Sequence, residues 1–225
     1  MSKIICVLST HNSDNKEVLL KRLAELVKEN KHKKSSTFKV LLPIKDDPFF
    51  AANSLVFPEI FSVIKVTVPK GISVSIYGDE LVSRIKILLK GLDVKSQLCV
   101  ASERVFKKTD TESVNYMYFM KRRDGFSGAD YLDYYSNSHF RFGMETKGIT
   151  YIQNYIDKEA TTDLAEQIGI QGASFDSVSE MLFSSIETFF YDNEVGDLGD
   201  QAEEDERKFI DRDMSFMICL RELTA

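Results

Sequence analysis

Apolar and polar positions along the chain fall into runs that alternate between strand-like and helix-like periods. The opening run KIICVLST is apolar and β-branched and predicts a strand. SDNKEVLLKRLAELVKEN then sets Val18, Leu19, Leu23, Leu26 and Val27 on one helical stripe, with Ser13 or Asp14 as the cap. TFKVLLPI predicts a second strand and IFSVIKVTVP a third, separated by a loop with Pro48, Pro58, Phe49, Phe50 and Phe57. GDELVSRIKILLKG predicts a second helix closed by Gly91, and SQLCVASERVF a fourth strand. The order is β-α-β-β-α-β, that of a ferredoxin-like unit.

A polar stretch, KKTDTES, breaks the pattern, and the pattern then begins again. SVNYMYFMKR predicts a strand. Ser127 caps a helix running to His139, with Asp130 completing a capping box. GITYIQNYIDK alternates Tyr151, Gln153 and Tyr155 against Ile152, Asn154 and Ile156, as a strand does. SVSEMLFSS predicts another strand, SIETFFYDNE and DQAEEDERKF a helix interrupted near Gly196 to Gly199, and DMSFMICLRE the last strand. A four-stranded sheet with helices on one face leaves its other face apolar and open. Two such units bury those faces together. The pattern therefore predicts an α+β fold in which two tandem ferredoxin-like halves, residues 1–108 and 110–225, pair within one molecule into a barrel flanked by helices.

Charge and composition narrow the partners. The chain has 225 residues, a formal net charge of −6 and 43% hydrophobic residues, the composition of an ordinary globular protein. That charge argues against nucleic acid, whose phosphates require a basic surface. The basic clusters Lys31-His32-Lys33-Lys34 and Lys121-Arg122-Arg123 are short, and the second is expected to pair with Asp205 or Asp211. The acidic run from Asp192 to Glu206 lacks calcium-loop spacing and reads as solvated. Cys6, Cys99 and Cys219 each sit in an apolar run without a C-x-x-C spacing, which predicts buried, reduced thiols. No segment approaches the length of a membrane span, and a cytoplasmic location is the default. Nucleotide, zinc-protease and esterase motifs are absent, and no cofactor or metal is expected.

Tyr131, Tyr135 and His139 are spaced i, i+4, i+8 and so share one helical face. If that face meets the strand bearing Tyr151, Gln153 and Tyr155, the result is a pocket with aromatic walls, an imidazole and an amide. His139 would act as general base or acid, and the Tyr135 hydroxyl or Gln153 would steady a developing oxyanion. The competing reading is packing, since any helix must bury one face and a histidine suits a helix end.

The second half resembles the EthD family. YFMKRRDGFSGADYLDYYSNSHF carries the Lys121-Arg122 pair, the turn at Gly125, Phe126 and Ser127, and the helix with Tyr131, Tyr135 and His139. GITYIQNYI, then SFDSVSEMLFSSIETF with Phe175, Asp176, Glu180, Phe183 and Phe189, and EEDERKFID with Asp205, Glu206, Phe209 and Asp211 follow in the family's order. After the histidine the chain has Phe140-Arg141-Phe142 where the family tends to have a small residue, proline and a leucine-like residue. The first half resembles a degenerate second copy. The resemblance implies a dimeric α+β barrel, usually built from two chains. It implies a protein that binds, and as an enzyme transforms, a small apolar or aromatic molecule, by cofactor-free oxidoreductase or monooxygenase chemistry or as a lyase or isomerase. The alternatives are a non-catalytic ligand-binding or accessory protein and a haem protein with His139 as axial ligand. A homodimer of the two-half chain is a further expectation.

Overall fold

A computed structural model describes residues 1–30, 38–49, 60–69, 74–110, 112–194 and 196–224, with the backbone alone across 75–80. The cluster Lys31 to Lys34 and the loop residues Phe50, Phe57 and Pro58 lie outside the described residues. The first elements are β1 (Ser2–Ser9), α1 (Ser13–Asn30), β2 (Phe38–Pro43), β3 (Ile60–Val68), α2 (Val74–Leu89) and β4 (Lys95–Lys107). Next come β5 (Val114–Arg122), α3 (Gly128–Tyr134), a π-helical turn (Tyr135–His139) and α4 (Phe140–Glu145). They are followed by β6 (Thr150–Asp157), α5 (Lys158–Ile168) and the short β7 (Gln171–Gly172). The chain ends with β8 (Ser177–Phe183), α6 (Ile186–Asn193), α7 (Leu198–Phe209) and β9 (Ile210–Glu222).

Three local features differ from the sequence reading. The cap of α1 is Asn12, not Ser13 or Asp14, because its Oδ1 accepts the amide N–H groups of Asp14 and Asn15 at 2.9 and 3.1 Å. The helix capped by Ser127 does not end at His139 but continues to Glu145. α5 was not anticipated, so the second half departs from a plain β-α-β-β-α-β order. It is capped by Asp157 and closed by Gly169 in the left-handed region, φ 81°. Its buried residues Leu164, Ala165 and Ile168 pack with Leu88, Leu98 and Val100, over strand β4 of the N-terminal half.

Strands β1, β3, β2, β9, β5, β8, β6 and β4 pair in that order, and β4 returns to β1 to close an antiparallel barrel. β7 adds two residues in parallel to the side of β4. The first four long strands run β4-β1-β3-β2 and the other four β9-β5-β8-β6. The two seams are unequal. At one, β2 meets β9 over Leu41↔Glu222 to Pro43↔Leu220; at the other, β4 meets β6 from Val100↔Asp157 to Lys107↔Tyr151. Closure leaves none of these eight strands with an open edge.

Strand alternation sorts side chains into layers. Ile5, Val7, Cys99, Met117, Phe119 and Phe216 fill the lumen. Ile4, Cys6, Leu8, Ile64, Val66 and Val100 point outward under α1, α2 and α5. Tyr116, Tyr118, Tyr151, Phe183 and Cys219 point outward under the C-terminal helices. All three cysteines are free and buried, and burial pushes the Cys6 and Cys99 thiols up to about 12. Among the described residues no helix is long and apolar enough to cross a membrane.

The lumen also holds charge. Glu180 of β8 has no exposed surface. It accepts from Lys3 of β1 at 2.6 Å, from Lys65 of β3, from Asn115 of β5 at 3.1 Å and from Asn154 of β6 at 3.0 Å. Lys3 also pairs with Glu103 of β4 at 2.5 Å. Burial pushes the Glu180 carboxyl upward, but the two ammonium groups and their hydrogen bonds outweigh it and hold the pKa well below the usual range. Burial wins at Lys65, whose pKa is lowered, whereas the two carboxylates win at Lys3, whose pKa is raised.

Two outcomes follow from this interior. Glu180→Ala leaves two ammonium groups in the lumen without their shared carboxylate, and should cost about 3–5 kcal/mol in chemical denaturation. A change under about 1 kcal/mol would mean that the cluster does not hold the barrel. Thiol labelling of the native protein should be slow at Cys6, Cys99 and Cys219 and fast in denaturant; rapid native labelling would contradict their burial.

Candidate functional site

The capping box at the start of α3 is formed as the sequence predicts: Ser127 Oγ accepts the Asp130 amide at 3.1 Å and donates to the Asp130 carboxylate at 2.6 Å. From there the helix runs across the outer face of the C-terminal strands. Tyr131 and Tyr135 are fully buried and His139 nearly so. The π turn opens the backbone between the last two, and Gln153 of β6 donates to the Tyr135 carbonyl at 3.1 Å.

α7 supplies the other half of the arrangement. Asp205 and Phe209 are four residues apart and so face the same way. The Asp205 carboxylate lies 2.9 Å from His139 Nδ1, and also accepts from the Tyr134 hydroxyl at 2.7 Å and from Lys208 at 3.0 Å. The Phe209 ring packs 5.0 Å from the imidazole and 5.5 Å from the Tyr131 ring. Burial lowers the Asp205 acidity, but the hydrogen bonds from His139, Tyr134 and Lys208 outweigh it, so its pKa lies below the ordinary value. Burial also lowers the His139 pKa, partly offset by Asp205 and reinforced by Arg141. The imidazole is therefore neutral near pH 7. With a carboxylate on Nδ1, that nitrogen carries the proton and Nε2 presents a lone pair.

Beside the imidazole is a cavity of about 70 Å³, between the helices and the outer face of the sheet. His139, Tyr135 and Tyr151 line it, together with Tyr116, Tyr118 and Glu206. The Tyr118 and Tyr135 hydroxyls are buried with no hydrogen-bond partner of ordinary geometry. Gly143 of α4 also borders the cavity; a Cβ there would lie 2.4 Å from the Tyr151 ring, so the close approach of helix and ring needs glycine.

The remaining sequence candidates do not line this space. Tyr131 exchanges a hydrogen bond of 2.6 Å with Ser177. Gln153 is fully buried, donating to Tyr151 at 2.7 Å and accepting from the Tyr155 hydroxyl. These groups support the wall. Two residues of the site were not singled out by helical spacing. Asp205 and Glu206 lie in the EEDERKFID block, where the four-residue step from Asp205 to Phe209 was the available signal. Lys121 and Arg122 pair with Asp176, at 3.5 and 3.1 Å, not with Asp205 or Asp211; strand pairing brings Asp176 to the end of β5. The cavity is also smaller than an aromatic-binding pocket, since a cavity of about 150 Å³ is what holds a benzene.

Comparison with known proteins bears on the fold and on one segment of the chain. The EthD domain model matches residues 123–213, a segment of the chain. A search of curated proteins found no match. Among solved structures, an anthrone oxidase-like protein aligns over 99% of this chain and 91% of its own, with TM-score 0.59 and 8% identity. A proposed monooxygenase from Fusobacterium nucleatum aligns over 99% and 93%, with TM-score 0.58 and 8% identity. Another from Lactobacillus acidophilus aligns over 98% and 93%, with TM-score 0.53 and 10% identity. At such identities the likeness is one of fold. The segment that the EthD domain model matches, residues 123–213, thus supplies His139 and Glu206 to the cavity and Asp205 to the imidazole.

Proposed function

We propose that this protein binds a small molecule in the His139 cavity and moves a proton on it without a bound cofactor. The observation that carries this reading is the His139–Asp205 pair. A carboxylate fixes Nδ1, leaving the lone pair on Nε2 of an imidazole that borders a tyrosine-lined space, as an oriented general base requires. Tyr135 is the hydroxyl placed to meet a substrate oxygen, and Tyr151 forms the wall. Tyr131, Gln153 and Tyr155 keep that wall and the π turn in place. Cavity volume favours a ligand of few atoms, and an aromatic ring enters only if the walls move. An accessory protein that holds such a molecule unchanged is the second reading, favoured by the enclosed form of the cavity. Haem does not fit: the imidazole faces about 70 Å³ walled by tyrosines, too little for a porphyrin.

The scaffold reading belongs with this proposal. Residues 1–108 and 110–225 act as tandem ferredoxin-like halves that form an internal dimer. Its support is the matching strand orders, β4-β1-β3-β2 and β9-β5-β8-β6, and the crossing of α5 onto the other half. A second copy of the chain is not needed to close the barrel. Three buried, unpaired thiols suit a reducing cytoplasm.

Saturation-transfer NMR with acetone and with phenol tests the site. Acetone should bind the wild type, and His139→Gln should lose that binding with its melting temperature within a few degrees of wild type. Equal binding by the variant would leave His139 a packing residue. The two halves expressed separately should be insoluble or lack a cooperative melt; two soluble, cooperatively folding fragments would refute the shared core.

A further inference from the structure

We infer that Glu206 is a second proton-transfer residue of this cavity, acting with His139 to enolise a small carbonyl compound whose oxygen rests against the Tyr118 and Tyr135 hydroxyls. The inference rests on the His139 cavity being the active site.

Helix geometry separates the two acidic neighbours. Asp205 and Glu206 are consecutive on α7, so their side chains leave the axis about 100° apart. Asp205 turns to His139 Nδ1, while Glu206 lines the cavity itself. Arg212 of β9 holds the Glu206 carboxyl at 3.1 Å and reaches Glu203 at 3.4 Å. Tyr118 acts on the Glu206 carboxyl from β5, and Ser179 acts on Tyr135 from β8, yet neither tyrosine hydroxyl has a hydrogen bond of ordinary geometry. Two buried hydroxyls whose contacts with Glu206, Ser179 and Tyr151 fall outside ordinary hydrogen-bond geometry, set beside a carboxyl and an imidazole, form a place for an oxygen that accepts hydrogen bonds.

The protonation states suit the roles. Burial raises Glu206 to about 7, with Glu203 and Asp205 adding to the rise and Arg212 and Tyr118 opposing it. Burial lowers His139, with Arg141 adding and Asp205 opposing. Near neutrality one group is a neutral base and the other is in good part a protonated acid, the separation that acid–base pairs use.

The step balances within the site. His139 Nε2 takes a proton from the carbon beside the carbonyl. The released C–H pair becomes the new C=C bond, the carbonyl π pair moves onto oxygen, and Glu206 gives its proton to that oxygen. The ketone becomes its enol, leaving an imidazolium and a carboxylate. Reversal restores both; in heavy water the imidazolium proton first exchanges with solvent, so that a deuteron returns to carbon. No oxidant or reductant is consumed.

Deuterium uptake by acetone in heavy water, followed by proton NMR, tests the proposal with the full chain. Wild-type protein should exceed buffer, with a rate that falls above about pH 7 as Glu206 ionises. Glu206→Gln should lose about 100-fold or more of the protein-dependent rate and that alkaline fall, as removal of a general acid does. Arg212→Gln keeps the carboxyl and removes its cation, so the alkaline fall should move to higher pH; it serves also if Glu206→Gln folds poorly. Wild-type rate and pH profile in Glu206→Gln, or an unmoved profile in Arg212→Gln, would overturn the role of Glu206. If His139→Gln alone loses the rate, the site reading stands without Glu206. A wild type no faster than buffer, or a His139→Gln as fast as wild type, would overturn both.

Discussion

One carboxylate, Glu180, has no exposed surface, and around it the barrel closes. Its oxygens are met from β1, β3, β5 and β6 at once. A charge so placed is tolerated only if every neighbour is in register. Lys3 and Lys65 come from the N-terminal half and Glu180 from the C-terminal one, so the pairing ties the halves across the lumen. It is also a directional contact in a core otherwise made of non-directional ones such as Phe119 stacked on Phe216 at 4.5 Å. Slippage of β8 by one residue would turn Glu180 outward and Ser179 or Met181 inward.

The lumen is packed with Met117, Phe119, Phe175 and Phe216, and the His139 cavity of about 70 Å³ lies instead on the outer face, between sheet and helices; a larger cleft of about 670 Å³ opens beside Val7, Gln97, Ser174 and Met214. The strands serve both layers at once. Met117 and Phe119 point into the barrel while Tyr116 and Tyr118, their alternating neighbours on β5, build the cavity wall. The π turn makes a matching adjustment on the helix. Each four-residue step on an α-helix overshoots one turn by about 40°. A wider turn at Tyr135–His139 takes up part of that drift, which lets Tyr131, Tyr135 and His139 all stay against the sheet.

Helix and strand periods made most of the elements legible, because each buries one face and its apolar residues must recur at 3.6 or 2. Alternation put Tyr151, Gln153 and Tyr155 on one face, and helical spacing put Tyr131, Tyr135 and His139 on another. α5 went unread although Asp157, Leu164, Ala165, Ile168 and Gly169 spelled out its caps and face; the expected β-α-β-β-α-β order had no place for it. Gln153 looked like a pocket amide, but each end of its side chain is engaged by a tyrosine hydroxyl. A list of residues does not reveal such saturation, since it depends on which partners arrive.

The sequence by itself determined the elements, their buried faces, the reduced thiols and the motif that marks His139. Those properties are local: period, cap and composition act within a few residues. Tertiary structure alone decided that Asp205 would meet His139 Nδ1, that Glu206 would border the same cavity, and that Asp176 would take Lys121 and Arg122. These partners lie 66, 67 and about 54 residues apart in the chain. Their meeting depends on the closed strand order and on the angle at which α7 crosses the π turn. The cavity's size was likewise settled by contact, where Gly143 lets the helix come down on the Tyr151 ring and leaves about 70 Å³ beside it.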